Sequence, residues 1–365
     1  MMSLNLNDAI MRLFLPILLI VTLAAVPDTA VPPSVGPDCL TEEGRKATFR
    51  EESITIESQG YQLAGTLYLP EAEGRYPALA LMHGGGSNID ILRITPRFFA
   101  RMLVRCGFVV ITWDKHGLGE SGGDYASSTF DDFVADAGAA SKLLARHREV
   151  DDARIGILGF SQGGRLAPVT AHRHEWVSFA ASVSGPIAGV AETRLYAIKN
   201  SFLDAGVSPD AVDAAMAYWE RHLDAVAAGN AEELQSVFES ARSFDDGYRG
   251  QLLPPAPDQL PATGIYNSMG RDYTEELMSF DKPWFSIYGE ADRVVPVDIS
   301  VANIERVRRN APNQNIDVRV IPGFGHSFRN ADSGEEYPFE REVLAWLMEK
   351  ADVDMHALSD GNHGR

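Results

Sequence analysis

Short apolar runs alternate with amphipathic stretches through most of the chain. Residues 77–82, 108–113, 154–160, 179–184, 283–288 and 318–321 are compact and apolar or β-branched, the length of a buried strand. Between and after them, residues 96–106, 130–147, 162–172, 297–309 and 339–350 carry apolar side chains at helical spacing. Ahead of these lie two β-rich runs, 53–58 and 61–69, separated by Gln59-Gly60, which is a hairpin signal. Strands that alternate with helices predict right-handed βαβ crossovers: an α/β protein with a mostly parallel, doubly wound sheet and helices on both faces.

The alternation lapses over residues 187–279. Ser208-Pro209 there reads as an N-cap followed by a proline at the first helical position. The pattern predicts helices over 211–228 and 231–242 and a Pro-rich turn region over 252–261. The expected organisation is therefore a core of residues 51–186 and 280–350 interrupted by a helical insertion, 187–279, with a frayed polar tail over 351–365. The aromatic residues of the insertion, Tyr218, Trp219, Phe238, Phe244, Tyr248, Tyr266 and Tyr273, are candidates for packing among its helices, with two or three of them expected to face a pocket.

The N-terminus has a different character. Residues 13–26 form an apolar run of 14 residues, preceded by Arg12 and followed by small residues. A positive flank, an apolar core and a small-residue exit predict a signal peptide over 1–26 and a secreted or periplasmic protein. The run is shorter than the ~20 residues of a spanning helix, so membrane contact is expected only through this segment if it stays uncleaved. Residues 27–50 read as a linker, Pro-rich over 27–37.

Composition narrows the function. With 45% apolar and 23% charged residues, the chain is neither disordered nor polytopic in a membrane. Fifty-one acidic residues against 32 basic ones give a net charge of −19, which repels phosphate backbones and excludes nucleic acid as a partner. Two cysteines, Cys39 and Cys106, are too few for a disulfide scaffold or a Cys-rich zinc site, and Cys106 reads as a small buried hydrophobe. The nine histidines are scattered apart from His172 and His174. No metal is expected, and no glycine pattern for a dinucleotide is present, so no cofactor is expected either.

The sharpest motif is Gly159-Phe160-Ser161-Gln162-Gly163, which closes a predicted strand and opens a predicted helix. A strand-to-helix turn of this kind lifts the serine hydroxyl above the sheet. A serine needs a base, and the base needs an acid to hold its tautomer. His326, on a Gly-rich loop after a strand, fits the base. Asp292 fits the acid, with Glu290 as the backup. The order Ser161, Asp292, His326 is that of the α/β-hydrolases. The Gln162 N–H and the Gly85 N–H of the His83-Gly84-Gly85-Gly86 loop are the expected oxyanion donors, and His83 is expected to hold that loop through its side chain.

From near Ser53 to near Lys350, outside the insertion, the chain resembles the α/β-hydrolase superfamily. The residues that carry the resemblance are HGGG at 83–86, WDKHGLGESGG at 113–123, GFSQGG at 159–164, YGEADRVVP at 288–296 and GFGHSF at 323–328. Asp114 is not the nucleophile, and 117–123 reads as a tight structural turn. The likeness is to the bacterial esterase, dienelactone-hydrolase and serine-peptidase-like branch, and it implies a helical lid after the sixth strand. It also implies a serine hydrolase cleaving a small ester through an acyl-enzyme. A serine peptidase or amidase acting on short peptides, and a non-catalytic binding module on the same scaffold, are the alternative readings. The sequence leaves the oligomeric state open.

Overall fold

The computed structural model describes residues 38–353 apart from 43, 243–250, 262 and 312–314. The predicted signal peptide, the whole Pro-rich stretch, the tail beyond 353, and Phe244 and Tyr248 lie outside the described residues.

Eight strands form one sheet in the order β1-β2-β4-β3-β5-β6-β7-β8. They are β1 (Phe49–Ser58), β2 (Tyr61–Pro70), β3 (Tyr76–Met82), β4 (Val109–Trp113), β5 (Val150–Phe160), β6 (Phe179–Val183), β7 (Trp284–Gly289) and β8 (Ile316–Ile321). The first two make the predicted hairpin, and β2 runs antiparallel to β4. From β4 onward every neighbour is parallel.

Side chains alternate across a strand, so a run apolar at every position serves two cores. In β3, Ala78, Ala80 and Met82 join one apolar cluster, while Leu79 and Leu81 join the other. The first cluster is covered by α2 (Phe130–Ala145), α3 (Gln162–Arg173) and α7 (Val297–Asn310). The second is covered by α1 (Ile94–Arg105) and α8 (Phe339–Lys350). Pro168 lies inside α3 and cannot donate to the Gly164 carbonyl. The Ser182 hydroxyl of β6 donates to that oxygen instead, at 2.7 Å.

The insertion leaves after β6 and returns before β7. It holds α4 (Val190–Asp204), α5 (Pro209–Ala228) and α6 (Ala231–Ala241), then short turns of helix at Gly264–Asn267 and Glu276–Ser279. Ser208 and Asn230 cap α5 and α6 through their side chains, and Pro209 begins α5 as the sequence predicts. The reading of the sequence did not anticipate α4. Gly189 at its N-cap makes no side-chain bond, so no capping signal marks its start.

One boundary moves. The ordered body begins ahead of residue 50, because Cys39 is joined to Cys106 by a disulfide. A short helical turn, Asp38–Leu40, and a second, Gly44–Lys46, lie against α1, and the Arg105 Nε donates to the Ala47 carbonyl at 3.1 Å. Cys106 is fully buried, as its apolar setting predicts, but as half of a cross-link rather than a free thiol. No helix among the described residues is long and apolar enough to cross a membrane.

Candidate active site

Ser161 sits between β5 and α3 with φ 52° and ψ −114°, a left-handed backbone that costs a non-glycine residue about 1–3 kcal/mol. The crowding that enforces the turn is visible at its flanks. A Cβ on Gly159 would lie 2.1 Å from the Gly163 oxygen, and one on Gly163 would lie 2.4 Å from the Met82 oxygen. The turn is tied to the next strand by the Ser161 N–H, which donates to the Val183 carbonyl at 2.8 Å. The N-terminus of α3, with its positive dipole end, therefore opens directly at the hydroxyl.

His326 and Asp292 arrive from the loops after β8 and β7. The His326 Nε2 stands 3.1 Å from the Ser161 Oγ, and its Nδ1 stands 2.6 Å from the Asp292 Oδ2. The other carboxylate oxygen, Oδ1, accepts the N–H groups of Val294 and Val295 at 2.7 and 2.9 Å. Asp292 is buried, so its charge rests on these donors rather than on water. Glu290 is exposed instead, and its Oε2 accepts the Gly323 N–H at 3.1 Å. The structure thus puts Asp292, not the backup Glu290, against the histidine. Ser184, itself at φ 49°, donates its hydroxyl to the His326 carbonyl at 3.0 Å and holds that loop.

The insertion supports the acid directly. From α4, the Tyr196 hydroxyl donates to the Asp292 carbonyl at 2.8 Å, and the Asn200 Nδ2 donates to the Arg293 carbonyl at 3.1 Å. The buried Arg165 of α3 fastens the start of α4 through the Ala188 carbonyl and, at 2.8 Å, the Thr193 Oγ1. The first helix of the insertion is therefore part of the frame of the site.

Gly85 lies across from Gln162: a Cβ there would be 3.6 Å from the Gln162 Nε2 and 3.7 Å from the Ile265 Cδ1. The His83 Nδ1 lies 3.0 Å from the Gly84 oxygen, within its own loop, and burial followed by the nearby Lys115 charge holds its imidazole well below the ordinary range. The Tyr125 hydroxyl donates to the Gly86 carbonyl at 2.9 Å.

Ser161, Gln162, Gly85 and His326 open onto a cavity of about 590 Å³. Its walls are mainly apolar, with Leu92, Phe130 and Val295 from the core and Val190, Ala197 and Ile265 from the insertion. Its charged wall residues, apart from His326, are Arg165 and Arg194, and no Asp or Glu is among the described lining residues. Of the insertion's described aromatics, Tyr266 alone reaches this wall. Trp219 is buried and donates its indole N–H to the Leu252 carbonyl at 2.8 Å, and the Tyr273 hydroxyl donates to the Asp131 Oδ1 at 3.2 Å. The expectation of two or three substrate-facing aromatics is thus reduced by packing. Arg165, Arg194 and Tyr196 carry no signal in the sequence, since nothing there says which face of α3 or α4 meets a cavity.

The mostly parallel sheet, with its strained serine turn between β5 and α3, is that of an α/β-hydrolase. More narrowly, the chain belongs to the family described as "Serine aminopeptidase, S33", whose pattern matches residues 76–332. Among curated proteins it is similar to esterase EstD of Thermotoga maritima, 23% identical over 322 residues, covering 86% of this chain and 66% of that one. It is also similar to the uncharacterised protein PA2218 of Pseudomonas aeruginosa, 31% identical over 128 residues, or 34% of this chain and 32% of that one. The chain thus spans less than two thirds of the length of these curated relatives. Among solved structures, an esterase of Pyrococcus furiosus has a TM-score of 0.53 at 20% identity, covering 89% of this chain and 97% of that one. The structure of PA2218 has a TM-score of 0.52 at 19% identity, covering 90% and 98%. At these identities the solved structures share the fold.

Proposed function

We propose that this protein is an exported serine hydrolase that cleaves carboxylic esters of small apolar substrates. The observation that carries the reading is the unbroken relay from Asp292 through His326 to Ser161, opening onto an apolar cavity. The Asp292 carboxylate holds the proton on the His326 Nδ1, leaving Nε2 free to accept the Ser161 proton as Oγ attacks the carbonyl carbon. The Gln162 and Gly85 N–H groups receive the charge that builds on the carbonyl oxygen. The imidazolium then protonates the departing alcohol. Water, activated by the same histidine, releases the acid from the acyl-enzyme. The insertion acts as a lid: it walls the cavity and sets the acyl group accepted.

The lining favours an ester over the free α-amine of an aminopeptidase substrate. A buried ammonium needs a carboxylate, and the described wall offers two guanidinium groups and none. The N-terminal apolar run and the Cys39–Cys106 disulfide both suit an oxidising compartment.

The test is a chain-length panel of p-nitrophenyl esters run beside aminoacyl and prolyl anilides, with Ser161→Ala as control. Ester turnover and fluorophosphonate labelling that both vanish in Ser161→Ala are expected. Faster turnover of anilides would move the protein to the peptidases, and labelling that persists in Ser161→Ala would displace the nucleophile. N-terminal sequencing of exported protein should find a start between about Ala25 and Val31, set by the small-residue exit of the apolar run.

A further inference from the structure

The loop after β4, in WDKHGLGESGG, holds three charged or titratable residues in a row, and two are occupied by the scaffold. Asp114 is bound by the Arg93 guanidinium, with Nε 2.8 Å from Oδ1, and accepts the Glu120 N–H at 3.2 Å. His116 lies 3.0 Å from the Asp136 carboxylate, which also accepts from Ser58 at 2.6 Å and Gln59 at 3.1 Å. Lys115, between them, is 5% exposed and has no carboxylate within ion-pair distance among the described residues. Burial pushes its ammonium down to about 7. A buried cation without a counter-ion is costly, and packing alone would be served as well by an apolar side chain of the same length.

Its contacts explain its presence. The ammonium donates to the Gly84 carbonyl at 2.7 Å and to the Gln162 Oε1, and lies 4.9 Å from the centre of the Phe133 ring. Both acceptors belong to the groups that face Ser161. In a trans peptide the C=O and the following N–H point in opposite directions. Holding the Gly84 oxygen toward Lys115 therefore turns the Gly85 N–H away from it. In its protonated form the group can only donate, so it also selects the oxygen of the Gln162 amide and leaves Nε2 pointing away. That Nε2 is buried without a hydrogen-bond partner, beside Gly85.

We propose that Lys115 is the positioning residue of the oxyanion hole. It fixes the Gly84–Gly85 peptide and the Gln162 side chain so that the Gly85 N–H and the Gln162 N–H converge on the oxyanion. This rests on the serine-hydrolase reading above. The ammonium also polarises the Gly84–Gly85 peptide, which strengthens its N–H as a donor, and places a positive charge behind the developing oxyanion in a site of low dielectric.

The test is Lys115→Met, which keeps an unbranched chain and removes the donor. With p-nitrophenyl butyrate, kcat should fall about 10²-fold, the scale of a lost oxyanion donor, while KM stays within about 3-fold. Affinity for a trifluoromethyl ketone, whose adduct with Ser161 carries an ionised oxygen, should fall by the same factor as kcat/KM. Affinity for the methyl ketone that forms no adduct should not change. A lysine that only stabilises the fold would lower the yield of active enzyme and leave that contrast unmoved. If Lys115→Met does not fold, Gln162→Met decides: it keeps the backbone donor, severs one Lys115 contact, and should lose about 10-fold in kcat with the same parallel loss of ketone affinity. A folded Lys115→Met that keeps kcat and ketone affinity within about 3-fold of the parent overturns the proposal, as the same result in Gln162→Met would if that variant decides. Failure of the serine-hydrolase reading is seen separately, as a parent protein that turns over no ester or one indifferent to Ser161→Ala.

Discussion

Asp292→Asn isolates the histidine tautomer from the rest of the site. The carboxylate has three donors: the Val294 and Val295 N–H groups on Oδ1 and the His326 Nδ1–H on Oδ2. An asparagine has one oxygen and one NH2 to offer them. If its oxygen stays with the two backbone donors, its NH2 faces His326 and pulls the imidazole into the Nε2–H tautomer. If it turns over, two buried N–H groups face an NH2 and lose their acceptor, at about 1–3 kcal/mol each. Two donors outweigh one, so the asparagine oxygen remains on the turn and the histidine switches. An Nε2–H cannot accept the Ser161 proton. Turnover should drop about 10⁴-fold, close to 5.5 kcal/mol of barrier, with little change in KM. Glu290→Gln is the internal comparison: Glu290 is exposed and its carboxylate accepts the Gly323 N–H, a bond the glutamine oxygen can keep, so turnover should change less than about 3-fold. The assay is p-nitrophenyl butyrate hydrolysis, with fluorophosphonate labelling rates as a second measure. If Glu290→Gln costs more than Asp292→Asn, the relay runs through the wrong carboxylate and the argument fails.

Other consequences follow from the scaffold. Cys106→Ser opens a loop of 67 residues and should lower unfolding stability by up to about 4 kcal/mol on the chain-entropy account, read as a shift in the urea midpoint. Turnover at 25 °C should be retained, since neither cysteine lines the cavity. Tyr196→Phe removes the hydroxyl that steadies the Asp292 carbonyl; a loss of about 1 kcal/mol, seen as a several-fold lower kcat, is expected, and unchanged kinetics would show that α4 does not brace the acid. Ala197→Trp fills the insertion side of the cavity, so the preference for butyrate over decanoate esters should rise at least about 10-fold while small phosphonates still label Ser161. An unchanged chain-length profile would mean that the acyl group lies elsewhere.

The sequence by itself determined the sheet, the serine turn and the loops that carry the candidate histidine and carboxylates. Each is written locally: strands as apolar runs, the turn as glycines on either side of Ser161, and the histidine and aspartate on loops directly after strands. Chain order then puts Ser161, an acid at 290 or 292 and His326 in sequence, and parallel strands deliver those loops to the same sheet edge. What only the tertiary structure decided depends on pairs of residues far apart in the chain. Cys39 meets Cys106 because the arm ahead of β1 packs on α1, and no spacing rule links the two. Asp292 prevails over Glu290 because the turn buries one carboxylate and leaves the other at the surface. Helix α4 went unread for want of a cap, and its role in holding the acid turn is visible only once Tyr196 and Asn200 reach across to residues 292 and 293. Lys115 stands just ahead of the turn 117–123 and carries no signal of its own in the sequence; folding buries it against Gly84 and Gln162. There a charge that would be ordinary in water can persist only against the polar groups that hold it.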